Sequence, residues 1–324
     1  MKEKTIDITK VHKTATEIAK SAKSIFKGNP DVVDFLLTAL FAKGHVLLED
    51  VPGTGKTVLA KTLAKSVDVP FSRIQCTPDI LPADMTGSSV FSQKTQEFEF
   101  HPGPLITSFV LVDELNRATP RTQSALLEAM AESQVSVDGT TIKLTPPFFV
   151  IATENPVESE GTFPLPEAQK DRFMMTVSLG YPSLEDEISI IEAQRSPIHP
   201  VESVTAVTDA QTICNIQNEL VHIHVDQAVL NYLLTIVAET RKDNRIEVGV
   251  SPRGSIALYK AAQSYAAIKN RSYVIPSDIK KLVLPVYRNR IIIKPESFLH
   301  GYMADTILQD IIDKIPVPAY EGKL

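Results

Sequence analysis

Lys56 and Thr57 close the run Asp50-Val51-Pro52-Gly53-Thr54-Gly55-Lys56-Thr57, which joins the apolar segment 45–49 to a stretch with helical spacing that begins at Val58. Strand, glycine-rich turn and helix in that order make a phosphate loop. The turn leaves backbone N–H groups pointing inward, and the helix start adds partial positive charge, so a polyphosphate can be held there. Lys56 would reach the β- and γ-phosphates and Thr57 a Mg²⁺ ion. Asp50 through Val58 would form the cradle for that polyphosphate. The usual pattern has glycine at its first position, where this chain has Asp50; Pro52, Gly53 and Gly55 still supply the turn. A strand-to-helix connection without ligand is the plainer alternative, and Gly-Lys-Thr in this context argues against it.

Asp113 and Glu114 end the apolar run Val110-Leu111-Val112. That run would lie beside the phosphate-loop strand, so its terminal carboxylates face a metal and a γ-phosphate. Asp113 would position Mg²⁺ with Thr57 through water, and Glu114 would orient and polarise the attacking water. Alone, such a pair reads as two solvated acids; the phosphate loop at this separation favours the chemical reading. Asn155, in Ala152-Thr153-Glu154-Asn155-Pro156, offers a neutral amide beside the γ-phosphate; it is equally a turn-former before proline. Arg253 follows Ser251-Pro252 and so falls in the first turn of a helix, where a cation opposes the dipole by about 0.3–1 kcal/mol. A phosphate contact or a salt bridge to an acid would offset that cost. By spacing alone, Arg172 in Gln169-Lys170-Asp171-Arg172-Phe173 reads as an ordinary surface arginine.

The elements that must position these residues follow from periodicity and end signals. Residues 9–26 and 31–43 read as helices, the first amphipathic. Short apolar runs at 45–49, 71–76, 110–112, 148–152 and 177–179 read as strands. Thr119-Pro120 starts a helix that runs to about Ser133. The stretch 134–144 alternates around Asp138-Gly139, a strong hairpin signal. Strands that are apolar throughout and alternate with helices predict a parallel sheet covered on both faces. From Tyr181-Pro182-Ser183 onward, strands are expected to disappear. Ser183 to Asp186 reads as a capping box, and helices are predicted over 208–218, 226–242, 252–269 and 277–288. The expected division is an αβα nucleotide-binding core with its N-terminal helix over 1–182 and an all-helical lid over 183–324.

Composition narrows the function classes. The 324 residues are 43% hydrophobic and 22% charged, with no Trp and a formal net charge of −6. An acidic chain has no global attraction to nucleic acid or anionic membrane. Cys76 and Cys214 lack metal-ligand spacing and read as small buried hydrophobes of a reducing compartment. The N-terminus lacks the apolar core of a secretory signal, and no apolar run approaches the ~20 residues that span a bilayer. The expectation is a cytoplasmic protein with no direct membrane insertion.

Four blocks in this order resemble the MoxR family of AAA+ ATPases: 44–57, 77–87, 112–118 with 122–130, and 155–173. Ser251-Pro252-Arg253 and 273–278 extend the resemblance into the helical part. It implies an α/β fold, an AAA+ αβα parallel-sheet core with a helical lid, and ATP hydrolysis with Mg²⁺. It also implies assembly into a homo-oligomeric ring, often a hexamer. By the same resemblance Lys56 and Thr57 are the phosphate-loop pair, and Asp113 and Glu114 the metal and water carboxylates. Asn155 is then the first sensor, Arg253 the second, and Arg172 an arginine finger that reaches the neighbouring subunit's site. Insertions at 134–145 and around 90–100 fit the family. Glu154 stands where Gln is commoner, and Cys76 where an aromatic is frequent. The family's chaperone-like role suggests clients with a von Willebrand factor A domain. Two other classes stand beside this reading. A nucleic-acid motor would need cationic or aromatic pore hairpins, whereas the 134–145 hairpin carries only Lys143 as a cation and the other insertion pairs Lys94 with Glu97 and Glu99. A non-catalytic recruitment switch is opposed by the presence of Glu114 and Arg172.

Overall fold

The structure is a computed structural model that describes residues 6–51, 53–155, 161–193, 195, 197 and 199–318. In chain order it opens with α1 (Ile8–Ile25), α2 (Pro30–Phe41), β1 (Val46–Glu49), α3 (Lys56–Ser66), β2 (Phe71–Gln75) and α4 (Pro82–Thr86). There follow β3 (Gly87–Ser92), β4 (Glu97–Pro102), β5 (Phe109–Asp113), α5 (Pro120–Glu132), β6 (Gln134–Val137), β7 (Thr140–Lys143) and β8 (Phe149–Glu154). The short α6 (Glu167–Lys170) and β9 (Met175–Val177) complete the sheet region. Beyond it lie α7 (Leu184–Ala193), α8 (Ala210–Glu219), α9 (Gln227–Lys242), β10 (Ile246–Val248), α10 (Pro252–Ile268), α11 (Pro276–Tyr287), β11 (Ile292–Ile293), α12 (Pro295–Leu299) and α13 (Ala304–Lys314).

Five strands form one parallel sheet in the order β2-β5-β8-β1-β9. Side chains alternate across it with period two, and the apolar core divides accordingly. Val46, Leu48, Phe109, Leu111, Phe149 and Ile151 pack with α1–α3 on one face. Leu47, Val110, Val112, Val150 and Ala152 pack with α5 on the other. Burial on both faces explains why these strands read as continuous apolar runs. The first cluster extends into α9, α10, α11 and α13. Polar contacts cross the same seam: His12 Nδ1 lies 2.6 Å from the Ile268 carbonyl, and Lys269 reaches the Asp34 carboxylate at 2.6 Å.

Local chemistry sets the ends. Asn29 accepts from the Asp31 amide ahead of α2, whose first residue is Pro30; Ser251 accepts from the Gly254 amide ahead of α10, which starts with Pro252. Thr119 occupies the cap position of α5, but its hydroxyl lies 3.2 Å from Thr122 Oγ1 and caps no backbone amide. Ser183 caps α7 as expected, accepting from the Asp186 amide at 3.2 Å. Asp138 and Gly139 both have positive φ, 49° and 77°, the geometry of a type I′ turn between β6 and β7.

Three expectations need correction. The strand that ends in Asp113 does not lie directly beside the phosphate-loop strand, because β8 pairs with both β5 and β1 and stands between them. The fifth strand is Met175–Val177 rather than 177–179, because Leu179 and Gly180 turn under Asp50 instead of continuing the ladder. Strands also do not disappear after residue 182. β10 and β11 pair antiparallel within the otherwise helical C-terminal region. They are only three and two residues long, too short for a periodic signal.

Candidate active site at the phosphate loop

Gly55 precedes α3 with φ 87°, a left-handed conformation that a side chain would strain. This turns the chain so that the first turn of α3 opens onto a cavity of about 380 Å³. Gly53, Gly55, Lys56, Thr57, Val58, Asp113, Glu114 and Asn155 line it together. Lys56 Nζ donates to the Asp50 carbonyl at 2.6 Å. Burial pulls the Lys56 pKa below its ordinary value, against the opposing pull of Asp50, Asp113 and Glu114. Thr54 lines a smaller neighbouring cavity of about 220 Å³ with Phe26, Val58, Pro182 and Ile190. Pro52 lies outside the described residues.

Asp50 explains the departure at the loop's first position. It is buried, and its carboxylate accepts from Ser178 Oγ at 3.1 Å and from the Leu179 and Gly180 amides. The loop thus contributes Asp50 to the cradle by its backbone, while the side chain pins the segment after β9.

β5 delivers Asp113 and Glu114 to the cavity from the neighbouring strand ends, with β8 between β5 and β1. Asp113 Oδ1 accepts from Thr153 Oγ1 at 2.7 Å, and Thr153 Oγ1 accepts from the Glu114 amide at 2.8 Å. Glu114 has φ 56°, so the chain turns sharply at this residue. Four residues here were not singled out from sequence. Arg73 donates to Asp113 Oδ2 at 2.7 Å and to Gln75 Oε1 at 2.8 Å. Gln75 Nε2 and Arg117 Nη1 reach Glu114 Oε2 at 2.9 and 3.0 Å. With Thr153 they hold both carboxylates. The sequence carried only half a signal: Arg73 and Gln75 stand two apart on one strand, hence on one side; the register that sets Gln75 opposite Asp113 comes from the sheet. Cys76 beside them is buried, and burial, with Asp113 and Glu114 adding to it, pushes its thiol up to about 12. It stays a thiol.

Asn155 is buried at the end of β8, and its carbonyl accepts from Asn116 Nδ2 at 3.3 Å. The remaining two arginines do not join this cavity. Arg253 is exposed in the first turn of α10. Arg172 donates to the Leu127 carbonyl at 3.0 Å and borders a separate cavity with Glu128 and Gln169.

A second group of charges sits at the ends of β1 and β8, where Glu49 and Glu154 are register partners. Lys170 bridges them, 3.6 Å from Glu49 and 3.1 Å from Glu154. The extra charge noted at Glu154 is therefore paired. Asn289 donates to Glu49 Oε1 at 2.6 Å and to Thr176 Oγ1 at 3.1 Å. Burial lowers the Lys170 pKa, but Glu154 and Glu49 outweigh it and the net shift is upward.

This sheet order, a phosphate loop after β1 and a helical C-terminal region define an ATPase of the AAA class. Residues 45–175 match the family described as "ATPase family associated with various cellular activities (AAA)", and residues 238–311 match the AAA lid domain. Chaperone MoxR1 of Mycobacterium tuberculosis is 37% identical over 305 residues, covering 91% of this chain and 80% of that one. YeaC of Bacillus subtilis, itself uncharacterized, is 46% identical over 308 residues, 95% and 96% of the two chains. A Cytophaga hutchinsonii protein solved as a candidate ATPase superposes with a TM-score of 0.89 at 35% identity, covering 96% of this chain and 97% of its own. The chain belongs to the MoxR family of AAA+ ATPases.

Proposed function

We propose that this protein hydrolyses ATP in a Mg²⁺-dependent reaction and uses the cycle to remodel partner proteins. The observation that carries the reading is the convergence of Lys56, Thr57, Asp113, Glu114 and Asn155 on one cavity. Lys56 and the loop amides bind the β- and γ-phosphates. Thr57 and Asp113 offer hard oxygen donors of the kind Mg²⁺ takes alongside water and phosphate oxygens. Bound there, Mg²⁺ would supply charge neutralisation on the triphosphate. Glu114, steadied by Gln75 and Arg117, orients the attacking water, and Asn155 reads the γ-phosphate. The apolar cavity beside Phe26, Val58 and Ile190 takes the base.

Arg172 lies outside the phosphate cavity of its own copy, which supports its acting on a neighbour. The assembly is then a homo-oligomeric ring, proposed as a hexamer, with residues 1–182 as the nucleotide-binding unit and 183–324 as the lid. Arg253 contributes from the lid as the ring closes. Partners with a von Willebrand factor A domain are the proposed clients, and the cytoplasm the proposed compartment. No helix among the described residues is long and apolar enough to cross a membrane. The test is phosphate release by Glu114→Gln protein. Turnover should collapse while binding of a fluorescent ATP analogue persists; unchanged turnover would refute the catalytic assignment.

A further inference from the structure

α6 buries none of its four residues. Apolar anchors occur only at its flanks, Leu165 and Phe173. Charges hold the rest. The Lys170 side chain is 16% exposed and bridges Glu154 and Glu49. Glu154 is the last residue of β8 and directly precedes Asn155. Asp171 is held from another direction: Arg290 Nε donates to it at 2.6 Å and Ser251 Oγ at 3.3 Å. Ser251 is the residue that caps α10, two positions before Arg253. Arg290 also donates to the carbonyls of Asp171 and Phe173, at 3.2 and 2.5 Å. Three consecutive residues thus contact the strand that ends just before Asn155, the start of the helix carrying Arg253, and, through Arg172, the Leu127 carbonyl outside the phosphate cavity.

A four-residue helix fixed by partly buried ion pairs moves with its partners. These pairs are costly to break one-sidedly, because each would leave an uncompensated charge. A shift of β8 or of the lid therefore carries Arg172 with it. We propose that Lys170 and Asp171 are positioning residues for Arg172. They tie its presentation to the next copy's phosphate site to the state of the sensing strand and lid in its own copy. The proposal rests on the reading of Arg172 as acting in trans.

The test uses hybrid rings of two variants of the full chain. The receiver, Arg172→Ala, keeps its phosphate loop; the provider, Lys56→Ala, keeps its arginine. Phosphate release then arises where a provider's Arg172 meets a receiver's loop. Lys170→Ala in the provider should lower this release roughly tenfold or more, since small misplacements of a reacting group are costly. Lys170→Arg in the provider should restore most of it. Lys170→Ala in the receiver should leave release near the parent hybrid. Equal loss from either side, no loss from the provider, or loss that merely follows a lost ring mass overturns the proposal. Binding of a fluorescent ATP analogue by Lys170→Ala protein should match the parent; weaker binding would place Lys170 in its own site and equally overturn it. A parent hybrid that releases no phosphate at any ratio instead refutes the trans reading of Arg172, and the relay with it.

Discussion

Two pairs of carboxylates stand at the same edge of one sheet and live in different surroundings. Asp113 and Glu114 open onto the phosphate cavity, and the cations that hold them, Arg73 and Arg117, are themselves partly exposed. Glu49 and Glu154 are bridged by Lys170, whose side chain is only 16% exposed, and Glu49 also accepts from Asn289. The first pair is accessible to a substrate. The second joins strand ends to α6 and to the lid. The carboxylates themselves are exposed to similar degrees; what differs is the cation, and a pair whose arginine is partly in water exchanges partners at less cost than one held by a lysine that is mostly buried.

The sharpest way to break that contrast is at the open pair. Glu114→Gln should reduce phosphate release by about 10²–10⁴-fold, the scale of a lost general base, while the melting temperature stays near the parent's. Arg172→Ala should cost about 10³-fold or more. Mixing it with Lys56→Ala protein should recover part of the rate through hybrid interfaces; no recovery at any ratio would count against action in trans. A substitution at Asp50 should do the reverse of Glu114→Gln. Asp50→Ala strands the Leu179 and Gly180 amides and should lower unfolding stability by about 2–4 kcal/mol in a urea titration.

His45 sharpens the contrast by pH. It is buried; its Nδ1 accepts from the Val150 amide at 3.1 Å, and its Nε2 lies 3.1 Å from the Met130 carbonyl. Burial holds its pKa down at about 4, despite the upward pull of the Met130 carbonyl. The unfolded chain takes up this proton near pH 6.5 and the folded chain does not until about 4. Stability is therefore fully present above about 6.5 and lost as pH falls toward 4, by about 3 kcal/mol. Urea midpoints across this range should fall, and His45→Gln should flatten the slope. The smallest effect expected is on DNA. β3 and β4 form an exposed ribbon whose Phe91 and Phe98 rings pack edge to face, with Phe98 74% exposed. Yet Glu97 and Glu99 flank these rings, so DNA affinity should stay negligible even at low salt; strong binding that falls steeply with salt would revive a nucleic-acid motor.

The phosphate loop and the acids at 113 and 114 were legible because their signal is local: a few adjacent residues after an apolar run. The sheet was legible because its strands are buried on both faces. What escaped was set by contacts distant in sequence. Arg73 and Gln75 gain meaning only when β2 lies against β5. The fifth strand ends early because Asp50, about 130 residues away, captures the amides after it. The ribbon of β10 and β11 escaped because five residues carry no period. Arg290 and Asn289 look like ordinary residues at a helix end until α11 meets α6 and β1.

The apolar cluster that starts at Val11 and reaches Ile315 without interruption has a mechanical consequence. A jaw hinged between sheet and C-terminal helices would have to tear that shared filling apart at every turnover. The lid is better suited to small shifts that keep this filling intact than to wide opening, so in the proposed ring work would be delivered at the joints between copies.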